Sequence, residues 1–154
     1  MRWELRAFDA LTLAELYGIL RLRQDVFIVE QKCAYADADG LDPSASHLFA
    51  VDGDAVVACA RLFAPGLRRR EAVIGRVVTA ASVRRAGVGR ELMRRAIAAI
   101  EAQHGGVAIW LGAQKYLERF YASFGFSRDG DDYDEDGIAH LPMRRPEDPI
   151  KTRV

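Results

Sequence analysis

Arg84-Arg85-Ala86-Gly87-Val88-Gly89 stands between the apolar run 72–79 and an amphipathic stretch, 88–100. The run reads as a strand, the six residues as a tight basic turn, and the stretch as a helix. Val88, Leu92, Met93, Ala96, Ile97 and Ile100 recur at helical spacing, and His104-Gly105-Gly106 supplies the stop. The first N–H groups of a helix have no intrahelical partner, and the helix dipole adds partial positive charge there. Glycines at 87 and 89 remove side chains that would hold an anion away from that backbone. Such a turn can receive a phosphate or pyrophosphate, with Arg84, Arg85 and Arg90 at hand for charge.

Val107–Leu111 is a short apolar strand, so residues 72–111 read strand–turn–helix–strand, which lays two strands side by side and parallel. Upstream, His47–Asp52 and Asp54–Phe63 flank the hairpin signal Asp52-Gly53-Asp54 and make an antiparallel meander with 72–79. Pro65-Gly66 is a further turn, with Arg68–Arg70 as its solvated exit. Trp3–Phe8 is a first strand. Thr12 and Glu15 form a capping box, and Leu11 and Leu16 a hydrophobic staple. The helix they start carries Leu13, Leu16, Tyr17, Leu20, Gln24, Phe27 and Ile28 on one side and fades near Val29–Cys33. Ala34–Ser46 is a polar loop. Lys115–Phe124 is a helix stopped by Gly125, and Phe126–Arg128, Tyr133 and Ile138–Met143 are terminal strands around an acidic loop. Pro146–Val154 is expected to fray. The order is strand, helix, three-strand meander, helix, strand, helix and a terminal strand pair. That is a mixed α/β sheet in a single domain, 1–145, with a tail, 146–154. Its ligand belongs near the strand ends where the basic turn enters the helix.

The formal net charge is zero, so the molecule has no overall field for nucleic acid or an anionic membrane. No stretch reaches the length of a membrane span, and Met1-Arg2-Trp3-Glu4 holds no apolar signal core. Cys33 and Cys59 show neither C-x-x-C nor zinc spacing. A reduced, cytoplasmic, metal-free protein is the expectation. No Gly-Lys-Ser/Thr follows the turn, which excludes a P-loop. The third glycine of a dinucleotide fingerprint is missing, because position 92 is leucine.

A second motif lies about 32 residues beyond Gly89: Phe120-Tyr121-Ala122-Ser123-Phe124-Gly125-Phe126, after Leu111-Gly112-Ala113-Gln114. The pair resembles the GNAT superfamily of acyl-CoA-dependent N-acyltransferases, which joins an R/Q-x-x-G-x-G/A turn to a Y-x-x-x-G-F segment. Val26–Tyr35, Asp39-Gly40-Leu41-Asp42, Ile74–Val78 and Tyr133–Met143 are similar to its ElaA-like branch. The resemblance runs over residues 3–143 and implies the GNAT fold, with the element order just given.

It further implies acetyl-CoA as acyl donor and a small-molecule or peptide amine as acceptor. The pyrophosphate would lie on Arg84, Arg85, Ala86, Gly87, Val88, Gly89 and Arg90, and the pantetheine beside Val77, Val78 and Thr79, with Gln114 touching it. An amide near Val78 or Thr79 would polarise the thioester carbonyl, a contribution of about 3 kcal/mol. Tyr121 matches the tyrosine that returns a proton to the departing thiolate. Many members carry a glutamate base where this chain has Ile109, so the base lies elsewhere. Glu30, Asp39, His47 and His140 are candidates, with His140 preferred because imidazole titrates nearest neutrality. Glu30, Asp39, Glu135 and Asp136 are assigned to the acceptor side. Family members commonly pair, so a homodimer is the implied assembly. A non-catalytic acyl-CoA-binding module is the alternative, favoured by Ile109 and opposed by Tyr121.

Overall fold

Asp52-Gly53-Asp54 makes the turn its composition predicts: Gly53 adopts φ +62°, and β2 (Ser46–Asp52) folds back antiparallel on β3 (Ala55–Phe63). In the computed structural model, which describes residues 1–152, β4 (Ala72–Thr79) completes the meander and β1 (Arg2–Ala7) flanks β2. The sheet then continues through β5 (Ile109–Gln114) to β8 (Ile138–Arg145). Both β6 (Ser127–Arg128) and β7 (Tyr133–Glu135) pair antiparallel with β8. The chain thus ends in three strands where a pair was expected. The extra one, β7, is short, exposed and acidic. It is closed by a tight turn in which Asp136 and Gly137 both take positive φ, and it begins at Tyr133, a position the sequence already reads as strand.

The parallel pair is the one that matters for function. β4 and β5 stay in register only at Ala72↔Ile109 and Val73↔Trp110, after which they part. Two features open the gap. β5 is held over six positions by β8 on its other side. In β4, Arg76 and Val77 face the single residue Ala60, a bulge in which Arg76 takes φ +49° and which turns the end of the strand.

One face of the sheet is covered by α2 (Val88–His104), whose Leu92, Met93 and Ala96 pack on Leu48, Ile74, Ile109 and Leu111. The other is covered by α1 (Leu13–Arg23), prolonged by a π-helical stretch, Gln24–Glu30. The capping box forms as expected: Thr12 Oγ1 accepts from Glu15 N–H (3.1 Å) and Glu15 Oε1 from Thr12 N–H (2.9 Å). The buried face does not. Ile19, Leu22, Arg23 and Val26 point inward, while Leu13 and Tyr17 are 88% and 72% exposed. Two things set this rotation. Arg23 finds buried acids, and Gly18 lets the helix approach β3 so closely that a Cβ would lie 2.6 Å from Val56 Cγ2.

The expected frayed tail is instead anchored. Asp148 N–H donates to Gly106 O (2.7 Å), α4 (Pro149–Thr152) follows, and Lys151 pairs with Glu101 at 2.8 Å. Gly106 permits this, since a Cβ there would meet Asp148 O at 2.2 Å. The last two residues of that tail, Arg153 and Val154, lie outside the described residues.

Candidate active site

The parted strands open into a cavity of about 890 Å³ that reaches from the basic turn to the loop after α1. At the turn, Gly87 caps α2 from the left-handed region (φ +78°) with no side chain. The helical ladder opens there with the bond from Glu91 N–H to Gly87 O, at 3.1 Å. The N–H groups of Val88, Gly89 and Arg90 therefore open the helix without intrahelical partners. Val88's own side chain is buried in the core, so only its backbone is available. Arg85 is exposed with φ +68°. Arg90 folds back over Phe124 (4.8 Å to the ring centre) and donates to Ser123 Oγ.

Arg84 ties the turn to two other elements. It forms a forked pair with Glu30 at the end of the π-helical stretch and donates to Thr79 O at 3.1 Å. Hydrogen bonding from Arg84 holds the Glu30 carboxyl below its ordinary value. Glu30 thus stands at the turn end of the cavity as an ion-pair partner.

Val77, Val78, Thr79, Gln114 and Tyr121 all line the cavity. Gln114 is not free, since its amide N–H donates to Gln31 Oε1 (3.1 Å). Tyr121 projects from α3 (Glu118–Ala122) into an aromatic cluster, edge-on to Phe120 at 5.1 Å and to Phe126 at 6.3 Å. Burial pushes its phenol above the usual range, so it stays protonated. Its hydroxyl bonds to no group among the described residues, while the ring forms part of the cavity wall.

On the far wall, β7 brings Tyr133 onto His140, stacked at 5.6 Å. Nδ1 of His140 donates to Ile138 O (2.8 Å), which leaves Nε2 as the ring's exchangeable position, 3.3 Å from Glu135 Oε2. Asp136 lines the same end. Gly112 makes room for this wall, because a Cβ there would sit 2.4 Å from Tyr133 Oη. Ile109, on the opposite face of β5, is wholly buried in the α2 core and offers nothing to the cavity.

His47 does not line the cavity. It is buried with Nε2 at 2.9 Å from Asp42 O, and burial lowers its pKa. Asp39 lines the cavity wall but is engaged, accepting from Arg61 at 2.9 and 3.0 Å and from Arg76 at 3.4 Å. Burial works to raise its pKa, yet the Arg61 hydrogen bonds, the Leu41 N–H and the arginine charges outweigh it and hold the carboxyl down at about 2. These acids belong to a network that the sequence did not announce. Arg23, 1% exposed, donates to Asp37 (2.8 Å) and Asp42 (2.8 Å), and Arg61 donates to Asp42 as well (3.0 Å). Arg76 reaches the Asp37 backbone from the bulge.

A carboxyl held below its ordinary 3.8 contributes stability above that value and loses it as pH falls towards about 2. Stability measured as urea midpoints should therefore drop between about pH 4 and pH 2, and Asp39→Asn should flatten that slope. An unchanged slope in the variant would refute the assignment.

Two arginines read as a solvated hairpin exit also reach the cavity. Arg69 holds its guanidinium carbon over Trp110, 3.7 Å from the ring centre, and that of Arg68 sits 5.2 Å from the ring centre of Phe63. Only the aromatic contact, made between residues far apart in sequence, separates them from an ordinary charged loop. Of the cysteines, Cys33 touches the cavity, and Cys59 is buried beneath α1 with its thiol pushed up to about 12.

Residues 21–146 match the family model for the acetyltransferase (GNAT) domain. A UPF0039 protein of Synechocystis is 40% identical over 144 residues, covering 93% of this chain and 94% of that one. ElaA of Escherichia coli is 36% identical over 147 residues, covering 94% and 96%. Among solved structures, an acyl-CoA N-acyltransferase from Pseudomonas aeruginosa superposes with a TM-score of 0.90 at 40% identity, over 94% of this chain and 99% of that one. The crystal structure of ElaA follows at 0.88 and 36%, over 94% and 98%. Among the described residues no helix is long and apolar enough to cross a membrane. The parted β4 and β5, the glycine-capped turn and the tyrosine helix are thus those of an acyltransferase fold, and the chain belongs to the GNAT acetyltransferase family, grouping there with ElaA and the UPF0039 proteins.

Proposed function

We propose that this protein transfers an acetyl group from acetyl-CoA to a primary amine by direct attack within a ternary complex, in the cytoplasm. The observation that carries the reading is the parting of β4 from β5 after two registered positions, which leaves the edge of β4 unpaired beside Tyr121. Exposed strand-edge N–H and C=O groups suit an extended amide-bearing arm, which pairs with them as an added strand. The N–H groups at Val88–Arg90 suit a pyrophosphate, and the Gly87 cap, with nothing within 4 Å of a would-be Cβ, leaves the approach open.

The donor supplies an activated acyl carbon and a thiolate leaving group; the remaining work falls to the chain. His140 Nε2 takes the amine's proton, and Glu135 beside it stabilises the resulting imidazolium. The unpaired edge of β4 donates to the charge that develops on the carbonyl oxygen. Tyr121 returns a proton to the thiolate. No covalent enzyme intermediate is required, in keeping with the inert Cys59.

Calorimetric titration with acetyl-CoA tests the reading, with Gly89→Glu as comparison. A side chain at 89 meets only ordinary contacts, Phe120 at 3.8 Å and Thr79 at 4.0 Å. A carboxylate in the first helical turn is also compatible with the dipole, so the variant should fold while repelling the pyrophosphate. One-site binding weakened more than about tenfold in the variant is expected. A wild type that does not bind acetyl-CoA would remove the proposal.

A further inference from the structure

We infer that the acceptor is a primary amine carrying an anionic group, a carboxylate, at its far end, and that Arg69, assisted by Arg68, binds that group. The inference rests on the acyl-transfer reading for which end of the acceptor reacts. It comes from an asymmetry in the charges of the cavity wall. Arg61, Arg76 and Arg84 line the cavity too, but each is already matched to carboxylates. Arg68 and Arg69 have no acidic partner among the described residues, and both are held by aromatic faces. A guanidinium stacked on an indole keeps its in-plane N–H fork free, the geometry that receives a carboxylate through two hydrogen bonds.

The opposite end of the same wall is acidic, with Glu135 and Asp136 beside His140. The two ends lie on one sheet face: Trp110, Gly112 and Gln114 alternate along β5, and His140 registers with Gln114. Tyr133 bridges them, stacked on His140 while feeling the Arg69 charge. Four residues of strand separate the Trp110 and Gln114 positions, about 13 Å. An ammonium group drawn to the acidic end would therefore place a carboxylate some way off, not on the neighbouring carbon. A free α-amino acid is too short to touch both ends, and a polyamine would set its second cation against Arg69. A tripeptide, spanning about 10 Å, has the right length once the two side chains reach inward.

The test uses glycine, diglycine and triglycine, triglycine amide, and an α,ω-diamine of matching length. Each is titrated calorimetrically into the wild type, Arg69→Gln and Arg69→Lys, and each is assayed for CoA thiol release with acetyl-CoA. Triglycine is expected to bind at least about tenfold more tightly than its amide and than glycine. Arg69→Gln should collapse the acid-to-amide ratio towards one, and Arg69→Lys should restore part of it. If Arg69→Gln does not fold, Arg68→Gln reads the same ratio. A wild-type ratio near one, tighter binding of the diamine, or no binding of triglycine would overturn the inference. Selective binding of triglycine without thiol release from any amine would leave the carboxylate site at Arg69 standing and bring down the acyl-transfer reading instead.

Discussion

Replacing Tyr121 with phenylalanine is expected to lower kcat by about 10²–10³-fold with little change in stability. The two effects separate because the hydroxyl has no hydrogen-bond partner among the described residues, while the ring is packed edge-on against Phe120 and Phe126. Phenylalanine preserves that packing and removes only the proton. Burial raises the phenol's pKa, which taken alone weakens it as an acid. The departing thiolate, however, forms in the same poorly solvated place, and desolvation penalises either anion. The gap that matters therefore stays near the intrinsic one, about 1.5 pKa units or about 2 kcal/mol, within reach of proton transfer to a nearby leaving group. An acyl donor whose leaving thiol is more acidic should lose less rate in the variant. The check is kcat for both donors alongside thermal melting of both proteins. Undiminished kcat with the ordinary donor would exclude Tyr121 as the proton source.

The second large effect concerns the fold. Arg23→Ala should destabilise the protein by about 3–5 kcal/mol, because it strands Asp37 and Asp42 in a buried setting. Arg61 can compensate part of the Asp42 charge (3.0 Å), and Arg76 part of that on Asp37. The loop they hold carries Tyr35 and Asp39 into the cavity wall. A drop in the urea midpoint at neutral pH measures the loss, and Asp42→Asn in the same background should recover some of it by removing the orphaned charge. A surface-sized loss, below about 0.5 kcal/mol, would contradict the buried network.

The parts legible in the sequence share one property: their signals are local. The Gly53 hairpin, the Thr12–Glu15 capping box, the apolar stripe of α2 and the glycine-capped turn each depend on residues a few positions apart. Backbone sterics and short-range hydrogen bonds decide them before any distant contact forms. The first helix marks the boundary. Its start was readable, but its buried face was not, because the apolar stripe included Leu13 and Tyr17, which are exposed, and did not include Arg23, which is buried. An arginine becomes a core residue only where acids from another segment converge on it, and those acids sat in what read as a polar loop. The same holds for Arg68 and Arg69, ordinary surface charges until Phe63 and Trp110 are brought beneath them, and for His140 and His47, alike in sequence but divided by the cavity wall.

The sequence by itself thus determined the order of elements, the anion-ready turn, the tyrosine helix and the family. Tertiary structure alone decided which charges are spent on one another and which, like Arg68 and Arg69, stand without an acidic partner among the described residues. That division follows from range: strand, turn and helix signals act over a few residues, whereas the pairing of buried charges depends on segments tens of residues apart meeting in a low-dielectric interior.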